Sequence, residues 1–308
     1  MRIVFMGTPE FAVPCLQKLI DCGHEITGVF TQPDKPQGRK MILTPPPVKA
    51  LALENGLTVY QPLKMKDGTA LEMLKEANPE LVIVVAYGKI LPKEILEFPK
   101  YGCINIHASL LPKLRGAAPI QWSVINGCEK TGVTSMQMDE GLDTGDMLIT
   151  SELEIGENET AGELHDRVSA LGAEVLEQTI AALQNGELKP EKQNHAEFTY
   201  APMLSKELSP IDWNLPAREV HNKIRGLSPW PSATAVLNGK KVKIHRSVLV
   251  SEKGGVAGEV AENGKRLVVA CGDGECIEIL NIQAEGKKAM SAADFMRGNP
   301  VNIGDKFE

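Results

Sequence analysis

No stretch of the 308-residue chain runs to about 18 uninterrupted apolar residues, so the sequence offers no membrane-spanning helix. Paired cysteines are missing as well. Cys15, Cys22, Cys103, Cys128, Cys271 and Cys276 form no C-x-x-C ladder, which argues against a zinc site and for a reducing compartment. The opening residues Met1-Arg2-Ile3-Val4-Phe5-Met6-Gly7 read as a strand entering a turn. They have neither the basic, apolar and small regions of a secretion signal nor an Arg/Ser-rich transit segment, and the expectation is a cytoplasmic protein. The dinucleotide fingerprint G-x-G-x-x-G is absent. Its place is taken by Gly7-Thr8-Pro9-Glu10-Phe11-Ala12, which disfavours a nicotinamide or flavin cofactor. No D-x-D-x-D-G loop with a glutamate at its twelfth position is present, so calcium binding ranks low.

What is present is a globular composition, 43% hydrophobic and 24% charged, with a length that favours two domains. The net charge of −7 is unevenly spread. Residues 206–308 carry 15 basic and 13 acidic side chains, whereas 1–205 carry 18 and 27. Within 206–246 the count is eight basic against three acidic, a local positive field that suits a polyanion or equally a solvated surface.

Strand-like and helix-like segments alternate from the N-terminus. Strands are expected at 2–6, 25–30, 58–60, 81–86, 102–106 and 131–138, and helices at 11–19, 51–55, 70–76, 118–126 and 161–183. The uniformly apolar Leu81-Val82-Ile83-Val84-Val85-Ala86 reads as a central parallel strand. The alternation predicts an α/β fold with a doubly wound, mostly parallel sheet. After Tyr200-Ala201-Pro202 the texture changes. A helix at 217–224 precedes short β-like runs at 234–237, 241–244, 267–270 and 276–282, which suggests a small barrel or sandwich. The expected division is 1–189, a linker at 190–207, and 208–308.

Three stretches carry candidate chemistry. In Asn105-Ile106-His107, residues i and i+2 of a strand share a face, so amide and imidazole aim at one point near the strand's C-terminal edge. That pairing suits stabilisation of a developing oxyanion, and it also suits a strand end with two satisfied polar groups. In Asp139-Glu140-Gly141-Leu142-Asp143-Thr144-Gly145-Asp146, glycines flank Asp143 and permit an unusual backbone path. A carboxylate there can pair with His107 and hold it cationic, or its loop can simply cap the next turn. Residues 31–49 form a Pro-rich, basic excursion where about 2–6 residues would make a plain connection. Lys35, Arg39 and Lys40 in it are candidates for phosphate contact.

Taken with Val4–Phe11, Val29–Asp34, Val85–Gly88, Ser109-Leu110-Leu111-Pro112, Arg115–Gln121 and Leu227–Pro231, these motifs resemble the folate-dependent formyltransferases along nearly the whole chain. The resemblance implies a Rossmann-like formyltransferase domain followed by an oligonucleotide-binding-type β-barrel. It implies 10-formyltetrahydrofolate as co-substrate, no metal, and the α-amino group of initiator methionyl-tRNA as acceptor. Asn105, His107 and Asp143 match the family's catalytic triad. Val85, Tyr87, Gly88, Ser109, Leu110, Leu111 and Pro112 match its folate-contacting turns. The inserted loop (Lys35, Arg39, Lys40) resembles the one that enters an acceptor stem. Lys240, Lys241 and Lys243 are the matching candidates for backbone contact in the C-terminal region. Trp230, between Pro229 and Pro231, reads as a core or interface residue rather than a stacking platform. The competing readings are a formyltransferase for an amino-sugar nucleotide, a non-catalytic tRNA- or folate-binding module, and a nicotinamide oxidoreductase.

Overall fold

The computed structural model describes residues 1–38 and 41–308, and Arg39 and Lys40 lie outside the described residues. In chain order the elements are β1 (Arg2–Gly7), α1 (Val13–Asp21), β2 (Glu25–Phe30), β3 (Lys35–Gln37), β4 (Ile42–Thr44), α2 (Pro47–Glu54), β5 (Val59–Tyr60), α3 (Thr69–Ala77), β6 (Leu81–Val85), α4 (Lys93–Leu96), β7 (Cys103–His107), β8 (Arg115–Gly116), α5 (Pro119–Ile125), β9 (Lys130–Gln137), β10 (Met147–Glu154), α6 (Ala161–Asn185), β11 (Tyr200–Ala201), α7 (Ala217–Gly226), β12 (Ala233–Leu237), β13 (Lys240–Lys253), β14 (Val260–Glu262), β15 (Leu267–Ala270), β16 (Glu275–Ala284), β17 (Met290–Ser291) and α8 (Ala292–Gly298). Two compact units form. One comprises residues 1–116, 132–153 and 165–200, and the other 117–131, 154–164 and 201–308. Residues 190–200 of the expected linker fall in the first unit, where Glu191 bridges Met147.

The first unit is built on a seven-stranded sheet in the order β10-β9-β7-β6-β1-β2-β5. The five strands from β7 to β5 run parallel, and β9 joins β7 antiparallel with His107 opposite Thr134. The apolar run at 81–86 does form the buried strand β6, flanked by β1 and β7. Every residue of β6 is buried because helices cover both sides of a parallel sheet. The alternating pattern did not show that β9 reverses direction, nor that β10 follows it, since amphipathic runs carry no information about strand polarity. The inserted stretch after β2 contains a small antiparallel hairpin, β3 with β4, which the sequence reading missed.

The ends of the parallel strands are stitched together at the turn after β1. The Thr8 hydroxyl donates to the Tyr87 carbonyl at 3.1 Å and accepts from the Gln32 backbone N–H at 3.2 Å. Gly7 has no room for a side chain, because a Cβ there would stand 2.7 Å from the Phe5 ring and 3.0 Å from the Val85 carbonyl. The turn's glycine thus serves close strand packing.

The second unit is antiparallel, in the order β12-β13-β16-β15-β14, with β17 beside β16. Its chain end links the two outer strands. Leu237 bridges Phe307, Glu259 bridges Lys306, and Glu308 exchanges backbone hydrogen bonds with Val236. That tail removes open strand edges, as a barrel does. The run expected at 241–244 is the start of β13, which continues to Lys253 through register shifts against β16. Its core gathers Val220, Ile224, Ile244, Val269, Ile277 and Phe307 around Trp213, which is only 4% exposed. Trp230, by contrast, is 55% exposed and does not belong to the core. No helix among the described residues is long and apolar enough to cross a membrane.

Candidate active site

Strand β7 sets the first two groups. Cys103, Asn105 and His107 alternate with Ile104 and Ile106, so one face of the strand presents the amide and the imidazole. On the other face Ile106 lies beside Gly172 of α6. His107 is buried at 6% exposure. Its Nε2 lies 3.0 Å from the Leu114 carbonyl. A carbonyl only accepts, so Nε2 carries the proton and donates. Nδ1 is the nitrogen left for chemistry, and it faces the Asp143 Oδ2 at 3.7 Å, beyond a direct hydrogen bond. The Leu114 carbonyl thus fixes the ring, and Asp143 stands opposite its other nitrogen. The Asn105 amide, half-buried, makes no hydrogen bond among the described residues. A polar group left without a partner at a strand end is available to a ligand.

Asp143 arrives from a loop and not from a strand. Its φ is +53°, the left-handed region that a non-glycine residue seldom adopts. Its Oδ2 accepts the Gly116 backbone N–H at 2.8 Å, while Oδ1 has no partner among the described residues. The loop backbone leaves little room to move, since a Cβ on Gly145 would sit 1.7 Å from the Gln137 carbonyl. Gln193 holds the loop from behind. Its Nε2 donates to the Asp143 carbonyl at 2.9 Å and to the Gly145 carbonyl at 2.7 Å.

The residues assigned to the folate turns differ in what they present. Val85 and Tyr87 are buried at 0% and 1% exposure, and burial pushes the Tyr87 phenol well above its ordinary range. The Tyr87 hydroxyl lies 3.5 Å from Met65 Sδ, inside the core, so this residue presents backbone and not a ring. Gly88 is exposed at the turn, and the Gln32 amide reaches the Tyr87 and Gly88 carbonyls at 3.1 and 3.3 Å. The Ser109 hydroxyl is likewise spent internally, on the Lys113 carbonyl at 2.7 Å, and the Leu111 N–H donates to Thr134 Oγ1. Leu110 and Pro112 remain half-exposed, and the Leu111–Pro112 peptide is cis.

Among the basic candidates, Lys35 is exposed and donates to Gln32 Oε1 at 3.2 Å. In the second unit Lys241 and Lys243 flank buried Val242 and line, with Lys206 and Gln283, a depression of about 340 Å³. Lys240 borders a different depression of about 380 Å³, beside Asn238 and Asn299. The two depressions share Val242 and Ala284 in their linings. The sequence reading missed Gln193, Leu114 and Gly116. The last two act through backbone atoms, so that even the matched run Arg115–Gln121 did not single out Gly116, and Gln193 stands among charged residues in a stretch with no periodicity.

Comparison with known proteins gives the family. A formyl transferase profile matches residues 1–180, and a formyl transferase C-terminal domain profile matches residues 203–300. The chain belongs to the formyl transferase family. Curated relatives named methionyl-tRNA formyltransferase include those of Alkaliphilus oremlandii, 51% identical over 99% of both chains, and Clostridioides difficile, 51% identical over 99% of both chains. Among solved structures, the sugar 3N-formyl transferase WlaRD superposes with a TM-score of 0.70 at 22% identity, covering 94% of this formyltransferase and 99% of that chain. An N-formyltransferase from Helicobacter canadensis also gives 0.70, at 21% identity and with 92% and 98% covered. Those two likenesses concern the fold.

Proposed function

We propose that this formyltransferase moves the formyl group of 10-formyltetrahydrofolate onto the free α-amino group of initiator methionyl-tRNA, in the cytoplasm, in support of translation initiation. The observation that carries the acceptor is the 51% identity to methionyl-tRNA formyltransferases across 99% of the chain, which includes the C-terminal region as well as the formyl transferase domain. We assign catalysis to the region 1–189 and tRNA backbone contact to an oligonucleotide-binding-type barrel at 208–308, joined through 190–207.

In the reaction the amine nitrogen attacks the formyl carbon, a C–N bond forms, and the carbonyl electron pair moves onto oxygen. Asn105, whose amide has no other partner among the described residues, donates to that oxyanion. His107 works through Nδ1, because Nε2 is committed to Leu114. The attacking amine sheds one proton toward the unpartnered Asp143 Oδ1, and collapse of the intermediate breaks the bond to N10 of the folate, which takes up a proton. The folate sits against the Tyr87–Gly88 backbone and the Leu110–Pro112 turn. Lys35, Arg39, Lys40, Lys240, Lys241 and Lys243 contact tRNA phosphates.

The deciding experiment is a transfer assay with labelled 10-formyltetrahydrofolate and three acceptors: charged initiator Met-tRNA, the same tRNA uncharged, and an amino-sugar nucleotide. Transfer to the charged tRNA alone is expected. Transfer to the sugar amine without transfer to Met-tRNA sinks the reading.

A further inference from the structure

We propose that Gln193, held by Arg115, is a positioning residue that aims the Asp143 carboxylate at the reacting amine; the inference rests on the assignment of Asp143 to catalysis made above. Asp143 is anchored at one point through its side chain, by the Gly116 N–H, and its left-handed backbone has to be held from elsewhere. The two carbonyls that define that backbone path, of Asp143 and Gly145, both receive their hydrogen bond from one nitrogen, Gln193 Nε2. Gln193 is 4% exposed, so water does not substitute for it.

A carboxamide that turns over exchanges its oxygen and nitrogen, and here the exchange would push an oxygen against two carbonyl oxygens. Arg115 prevents it. Its Nε and Nη2 donate to Gln193 Oε1 at 3.0 and 2.6 Å, so the oxygen end is fixed and the nitrogen end is aimed at the loop. Arg115 is itself 6% exposed and has no carboxylate partner among the described residues. Its guanidinium leans on His195 Nδ1 at 3.3 Å and on the Phe198 ring, 5.3 Å from the centroid. A buried cation without a counter-charge is an expensive way to fill space, so its value lies in the direction of its donors. The geometry is compact in sequence. Leu114 fixes His107, Gly116 fixes the Asp143 carboxylate, and Arg115 between them reaches the Asp143 backbone through Gln193. One tripeptide thereby registers the two groups that face each other at 3.7 Å.

The test uses the full-length protein with Gln193→Glu, which keeps the oxygen facing Arg115 and removes both donors to the loop, and Gln193→Met, which keeps the volume without polar atoms. Asp143→Asn and the double variant Arg115→Lys with Gln193→Glu complete the set. Both Gln193 variants are expected to lower kcat for Met-tRNA formylation by about 10–100-fold, the scale of a small misplacement. KM for Met-tRNA and the dissociation constant of tetrahydrofolate stay within about twofold. Their pH–kcat profiles are expected to approach that of Asp143→Asn, and the double variant to be no slower than Gln193→Glu alone, because both act through one chain of bonds. If Asp143→Asn keeps full kcat, the catalytic assignment of Asp143 falls, and this inference with it. If Asp143→Asn loses kcat while both Gln193 variants retain it, the assignment stands and the positioning role is overturned. Loss of kcat that merely follows a lowered thermal midpoint and raised KM values overturns it too.

Discussion

His107 in the first unit and His221 in the second are both buried, at 6% and 0% exposure, and both donate a hydrogen bond from Nε2 to a backbone carbonyl. They differ only at Nδ1. In His221 that nitrogen meets the Ser247 hydroxyl at 2.9 Å and is satisfied. In His107 it faces the Asp143 carboxylate across 3.7 Å, with the unpartnered Asn105 amide two residues away on the same strand face. Burial and residue type are shared, so neither marks function. The distinguishing feature is hydrogen-bonding capacity that the fold leaves unused.

The contrast breaks most sharply at Asn105. Asn105→Ala is expected to lower kcat by about 10²–10³-fold, the cost of one oxyanion donor, with KM for Met-tRNA and the melting temperature nearly unchanged. Steady-state kinetics beside a melting curve checks this, and a fall in stability without a fall in kcat would place Asn105 with His221 as a structural group. Gly145→Ala comes next. The new Cβ collides with the Gln137 carbonyl and displaces Asp143 from His107, for an expected loss of about 10²-fold in kcat at normal folate binding. Arg39→Ala with Lys40→Ala changes none of the triad residues. It is expected to weaken Met-tRNA binding about tenfold and to flatten its salt dependence by about two charges, read from binding isotherms at several salt concentrations.

The smallest effect belongs to His221. Removing its hydrogen bonds by His221→Gln should cost about 1–2 kcal/mol of stability and leave kcat per folded molecule unchanged. Desolvation by burial is the main cause that holds the His221 imidazole below its ordinary range, against the Glu157 carbonyl, which favours the proton. The unfolded chain then binds the extra proton first, so stability is full above about pH 6.5 and falls as the pH drops below it. His221→Gln should flatten that slope in thermal melts run across the range. An unaltered slope would assign the acid sensitivity to other groups.

The legible parts of the molecule were those fixed by short-range repeats. The apolar run of β6, the alternation in β7 and the amphipathic face of α6 are periodic patterns, and each forms where its period places it. The i, i+2 spacing of Asn105 and His107 belongs to the same class, since the pleat alone puts them on one face. Asp143 was legible only as a residue that glycines free to adopt an unusual path. That the Tyr87 ring and the Ser109 hydroxyl point inward was not legible, because a turn's sequence does not say which side chains it turns inward. Trp230, expected in a core or an interface, lies outside the core for the same reason.

By itself the sequence determined the strand-and-helix alternation, the shared face of amide and imidazole, and, through motifs spread over the chain, the family. The tertiary structure decided which imidazole nitrogen is free, which carboxylate oxygen is unpartnered, and what holds the Asp143 loop. The physical reason is range. Periodic side-chain placement follows from local backbone geometry, whereas the bonds from Leu114 to His107, Gly116 to Asp143 and Gln193 to Asp143 join residues 7, 27 and 50 positions apart, and exist only once the sheet has brought them together.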